Sequence, residues 1–203
     1  MSDVQAYAPL PSGAIVPPLA ANLHSPDPWE VAAWLTTSDL GLRSPIKVFP
    51  WPRSDAPIKK ARAKASSEIG AIRAWAHVHG DRAVGVRTGV ASGGLIVVAA
   101  DDAFSLAQAE ERYGELPPTT RAESRTGKLR VWLALTPGVV ALPTLHTFAP
   151  GVRILGDGGA CRVGRWSSPP DHFHLASLPM GWVRAAGTLA EAPRPNVRYP
   201  TRH

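Results

Sequence analysis

Two adjacent carboxylates, Asp101 and Asp102, close the unbroken apolar run Leu95 to Ala100. Such a run reads as a buried central strand, and the C-terminal end of a strand is where sheet scaffolds place their chemistry. Paired acids at that point suit a divalent cation, which needs clustered oxygen ligands. The same acids can instead cap a following helix. The second chemically loaded group is cationic. Residues 43–89 hold ten Lys and Arg against three acids, whereas residues 1–42 hold four acids and no Lys or Arg. Lys59, Lys60, Arg62 and Lys64 are its densest stretch. Concentrated positive potential attracts phosphate and releases counterions, so this stretch points to DNA or RNA, or to a nucleotide. A solvated basic loop has the same composition.

Weaker patterns are set against plainer readings. Gly89 to Gly94 lacks the spacing of either nucleotide-binding glycine motif, so a tight turn is the simpler account. His172 and His174 bring no further ligands and read as polar surface. Trp51, Trp75, Trp132 and Trp166 offer faces for base stacking, although Trp75 sits on an apolar helix face and reads as core. Cys161 is the sole cysteine, which excludes an intramolecular disulfide and fits a reducing, cytoplasmic setting. No apolar run approaches the roughly 18 residues of a membrane span, and the first residues lack the pattern of a signal peptide.

The elements that would position these groups alternate between helix and strand. Asp27-Pro28-Trp29-Glu30 supplies an N-cap, an N1 proline and a capping-box acid for a helix to about Thr37. Ile46 to Trp51 predicts an edge strand, Arg53 to Lys64 a basic loop, and Ser66 or Ser67 the start of a helix with Ile69, Ile72, Trp75 and Ala76 on one face. Ala83 to Thr88 and Leu95 to Ala100 predict strands. Ser105 with Gln108 reads as a capping box, Phe104 with Ala109 as a staple, and Gly114 as a stop. Leu129 to Leu135 alternates with the period of a half-buried strand, and Gly151 to Leu155 predicts another. The whole is a mixed α/β or α+β domain over residues 26–184, with a Pro/Ala-rich arm at 1–25 and a basic, Pro-rich tail at 185–203.

Taken in order, Ile72-Arg-Ala-Trp75, Ala83-Val-Gly-Val-Arg-Thr-Gly89 and Gly94-Leu-Ile-Val-Val-Ala-Ala-Asp-Asp102 resemble the N-terminal bifunctional primase-polymerase domain of the archaeo-eukaryotic primase superfamily. Leu116-Pro-Pro-Thr119 is similar to the loop before that family's second motif, Thr126-Gly-Lys-Leu-Arg130 to the motif itself, and Gly151-Val-Arg-Ile-Leu-Gly-Asp-Gly-Gly159 to the third. The likeness spans roughly residues 43–170 and implies a central sheet flanked by helices. The family's first motif, Asp-x-Asp, falls on Ala99 and Asp101; its second-motif histidine falls on Arg130, with Lys128 in place of a glycine; its third-motif acid falls on Arg153, and the arginine that commonly follows is Leu155.

These departures imply a catalytically degenerate relative with an accessory or regulatory role in DNA replication or a mobile element. Nucleotidyl transfer runs through divalent ions held by carboxylates, and Asp101 with Asp102 makes at most a weak metal cage. A single change at Ala99 would suit an introduced silencing substitution, whereas two further arginines read as natural loss. Arg87, Lys128, Arg130 and Arg153 are then candidates to hold phosphate directly, so no cofactor is expected. Three alternatives stay open. An active primase-polymerase would use magnesium or manganese, with Asp101, Asp102 and Asp157 as a shifted metal set. A protein-interaction module would offer its cleft to a protein partner. The arginines could also be ordinary surface residues of a decayed cleft. The Ala- and Arg-rich usage suggests a high-GC bacterial or mobile-element origin.

Overall fold

The computed structural model describes residues 27–52, 58–80, 82–123, 127–163, 165–166 and 173–191. The whole of the arm at 1–25, most of the tail, and His172 lie outside them. Among the described residues, ten strands and five α-helices follow in the order α1 (Pro28–Thr37), β1 (Val48–Pro50), α2 (Ile58–Ala63), α3 (Ile69–His79), β2 (Val84–Arg87), β3 (Leu95–Ala100) and α4 (Ala103–Tyr113). After them come β4 (Arg121–Glu123), β5 (Leu129–Ala134), β6 (Leu145–Ala149), β7 (Val152–Leu155), β8 (Ala160–Arg162), β9 (Arg165–Trp166), β10 (Ala176–Ser177) and α5 (Met180–Glu191).

The strands form two sheets. One is small, in the order β1-β2-β8; the other has seven strands, running β6-β7-β3-β5-β4-β9 with β10 added alongside β5. Strand β3 lies at the centre, antiparallel to β5 on one side and β7 on the other. All six of its residues are buried, which is why it carries no polar alternation. Ile96, Val98 and Ala100 face one core, shared with Leu106 and Ala109 of α4 and Trp182 and Ala186 of α5. Leu95 and Val97 face a second core, shared with Val84, Val86 and Cys161 of the small sheet and with α1 and α3. The large sheet is therefore covered on both faces.

Local chemistry explains several boundaries. Asp27 caps α1 by accepting from the Trp29 amide at 2.9 Å, with Pro28 behind it. Gly114 ends α4 with φ +102°, and its carbonyl accepts from the Trp182 indole at 2.6 Å, tying α4 to α5. The expected edge strand is present as β1, at one border of the small sheet.

Four expectations are corrected. The basic loop Arg53 to Lys64 contains a helix, α2, which packs on β1. The cap of α4 is Asp102 rather than Ser105, so the helix starts earlier and Ser105 is the capped residue. Phe104 is 71% exposed and staples nothing. Strand β5 is not half-buried: Trp132, on its supposedly polar face, is fully enclosed in the second core because the small sheet covers that face. The last described helix, α5, runs to Glu191 and buries Trp182, Val183 and Ala186. Among the described residues, no helix is long and apolar enough to cross a membrane.

Candidate phosphate site on the central strands

Strand register assembles the site. Ala99 of β3 pairs directly with Arg130 of β5 and with Arg153 of β7. Residues directly opposite one another in antiparallel strands share a face, so the two arginines flank Ala99 in a single row across the sheet. Asp101 lies two residues past Ala99, just beyond the end of β3, and Lys128 two residues before Arg130, just ahead of β5. Asp101 Oδ1 accepts from Lys128 Nζ at 3.1 Å and from Arg153 Nη2 at 3.3 Å. These side chains are 40–48% exposed, so the ion pairs stand at an open rim. Each such pair contributes at most about 1 kcal/mol to stability.

Arg130 is half-buried and makes no ion pair with any described residue. It lies towards the small sheet. There burial pushes the Cys161 thiol up to about 12, while the positive charge of Arg130 acts in the opposite direction. The turn before β7 closes the row at its other end. The Asp101 amide donates to the Gly151 carbonyl at 2.8 Å. Gly151 has φ +68°, and a Cβ there would run into the Ser105 side chain. Only glycine lets that turn seat against the start of α4.

Asp102 does not join Asp101. Its carboxylate accepts from the Ser105 amide at 2.7 Å as the cap of α4, and this backbone hydrogen bond foremost holds its pKa below the usual 3.8. The two-carboxylate metal site is thus corrected to a lone acid, because one of the pair is turned into a helix cap. Asp157 is also committed elsewhere: its Oδ1 accepts from the Val90 amide at 2.6 Å. The shifted set Asp101, Asp102 and Asp157 therefore does not converge. Among the described residues no three His, Cys, Asp or Glu side chains gather where they could hold a metal ion. The donor chemistry agrees, since the one acid of the row is already shared between two cations and two arginines flank Ala99 beside it. A divalent cation does not fit these residues.

The remaining candidates disperse. Arg87 follows Val84 and Val86, which point into the second core, so strand alternation sends it to the outer face of the small sheet with Gly85, Phe49 and Trp51. It does not join the row; its Nε is buried and has no hydrogen-bond partner among the described residues. Lys59, Lys60 and Lys64 are exposed on and just after α2, whereas Arg62 is half-buried and donates to the Gly158 carbonyl, tethering the helix. The glycine turn uses its own amides: Gly89 N donates to Leu95 O at 2.6 Å, Gly93 N to Val90 O at 3.1 Å and Gly94 N to Gly89 O at 3.0 Å. It is a structural turn rather than a phosphate cradle. Trp51 is half-buried, with its ring centroid 5.9 Å from that of Phe49. His174 Nε2 lies 2.7 Å from the Pro118 carbonyl.

Nothing local in the sequence signals the proximity of Cys161 to Arg130. Cys161 reaches the row through pairing with Val86 on a sheet whose order is not sequential.

No curated protein matches the chain significantly. The family model for the N-terminal region of bifunctional DNA primase/polymerases matches residues 40–195, which contain both sheets and the entire arginine row. With more than half of its length matched in this way, the chain belongs to the Prim-Pol family.

Proposed function

We propose that this primase-polymerase-like domain holds the phosphate groups of a nucleotide or a nucleic-acid end directly through arginine, without a divalent cation, and does not itself carry out nucleotidyl transfer. The observation that carries this reading is the row Arg130, Ala99, Arg153, in register on adjacent strands with Asp101 as its sole acid. A polymerase site needs carboxylates that concentrate metal ions around the triphosphate and stabilise attacking and leaving oxygens. Here the equivalent positions carry fixed positive charge. Guanidinium groups offer several planar donors that match phosphate oxygens in pairs and stay ionised at any physiological pH. Such a site retains the electrostatic half of the ancestral chemistry and loses the reactive half. The exposed lysines of α2 add a non-specific nucleic-acid contact, in keeping with an accessory role in replication of DNA or of a mobile element.

The test is calorimetric titration with nucleoside triphosphates and short DNA in the presence of a chelator, beside primer extension with magnesium or manganese. Binding is expected to survive the chelator. It should weaken by about a hundred-fold or more in the Arg130→Ala, Arg153→Ala double variant, since a hydrogen bond to a charged group contributes about 1.5–3 kcal/mol. No extension is expected. Extension that vanishes in Asp101→Ala would refute the reading in favour of an active enzyme, and a protein that binds neither phosphate nor DNA at low salt would be an interaction module.

A further inference from the structure

Asp101 is the unusual member of the row. A lone acid left over from a lost metal cage has no evident reason to stay, yet its Oδ1 gathers both Lys128 Nζ at 3.1 Å and Arg153 Nη2 at 3.3 Å. A single carboxylate oxygen with two cationic donors is the arrangement a phosphate oxygen would adopt in the same place. Resting on the phosphate-site reading above, we propose that Asp101 is a built-in competitor for the site, an internal anion that occupies Lys128 and Arg153 until a phosphate-bearing ligand displaces it.

The geometry supports displacement rather than a permanent bridge. All three side chains are 40–48% exposed, so solvent and ligand reach the pairs from the rim. At that exposure each pair is weak, and breaking both to admit a ligand costs little against a multiply charged phosphate. Asp101 is also free to swing, because its backbone amide and not its side chain holds the turn at Gly151. Arg130 takes no part in the latch and remains available as the first contact for an arriving anion. Arg130, Arg153 and Lys128 carry three positive charges against one negative from Asp101. The site with its latch closed therefore still attracts anions, but it discriminates by charge: a ligand must carry more than one negative charge to outcompete Asp101 for both cations. Pyrophosphate and triphosphate ends are favoured over a single phosphodiester on this ground. A lone metal-binding acid would have the opposite role, since its loss would weaken phosphate binding.

The two roles separate cleanly by experiment. Pyrophosphate and a nucleoside triphosphate are titrated by calorimetry, with chelator present, into the wild-type protein, Asp101→Asn, Asp101→Ser and Asp102→Asn. Asparagine and serine remove the charge at position 101 with little change of shape at an exposed site. Both variants are expected to bind pyrophosphate about two- to thirty-fold more tightly than wild type, the range set by releasing two exposed ion pairs. Their preference for pyrophosphate over a phosphodiester dinucleotide is expected to narrow. Asp102→Asn removes the same charge one residue away while preserving the helix cap, and should leave affinity unchanged. Unchanged or weaker binding in the Asp101 variants overturns the latch while leaving the phosphate site standing. Equal tightening in Asp102→Asn also overturns it, because the effect would then be general electrostatics. If wild type and Asp101 variants alike fail to bind pyrophosphate or the triphosphate, the phosphate-site reading itself falls.

Discussion

Restoring the acid that Prim-Pol relatives are expected to carry at position 99 should weaken ligand binding in this chain. Ala99 is 7% exposed and has Arg130 and Arg153 as its direct partners on neighbouring strands. Directly opposed Cβ atoms on antiparallel strands stand about 4.5–5.5 Å apart, so a carboxylate built by Ala99→Asp reaches either guanidinium without backbone movement. At about 4 Å and an effective dielectric near 20 that attraction is roughly 4 kcal/mol before desolvation, enough to hold at least one arginine away from a ligand. Losing one charge-assisted hydrogen bond of about 1.5–3 kcal/mol predicts phosphate binding weakened by about ten- to hundred-fold. The assay is calorimetric titration of Ala99→Asp with a nucleoside triphosphate, run once with chelator and once with magnesium, beside a thermal melt that confirms folding. Loss of affinity under both conditions supports the arginine row. A variant that instead gains magnesium-dependent binding or primer extension would refute the argument that the flanking arginines exclude a metal.

Four further outcomes follow from the same geometry. Replacing Lys59, Lys60 and Lys64 together by alanine should lower the slope of log affinity for DNA against log salt by up to about 2.7, at roughly 0.9 per phosphate contact. Arg62→Ala, which cuts the tether to Gly158, should show mainly as a lower melting temperature. Cys161 in the native protein should resist a thiol reagent at pH 8 and react once guanidinium unfolds the chain. Its thiol rises from 9.0 to about 12 on folding, so stability is full below pH 9 and declines as pH climbs through that interval; rapid native labelling would show that the inter-sheet space is open. Asp102→Ala should lower the melting temperature at pH 7, and Asp102→Asn, which keeps an accepting oxygen but loses the charge, should lower it less. Because folding lowers the pKa of Asp102, its contribution is present above pH 3.8 and is lost as pH falls through the folded value, so the Asp102→Ala deficit should shrink in acid.

Much of the scaffold is legible from residues alone. The Asp27-Pro28 start of α1, the buried strand Leu95 to Ala100 and the glycine stop after α4 are each set by neighbouring residues, which is why local pattern finds them. The motif order likewise points to the Prim-Pol family and to Ala99, Asp101, Arg130 and Arg153 as positions of interest. What those positions do together was decided by pairing. Nothing local says that Arg130 and Arg153, twenty-three residues apart, lie on either side of Ala99; that depends on β3 sitting between β5 and β7, with a register that a one-residue slip would turn inside out. Tertiary structure also split the acidic pair, since the path into α4 turns Asp102 back to cap the helix and leaves Asp101 alone with Lys128 and Arg153. It buried Trp132 and turned Arg87 away from the row, because a second sheet covers a face that alternation along β5 marks as polar. Periodicity records which residues share a face of their own strand, whereas the partner of that face comes from distant chain and is fixed only when the layers close.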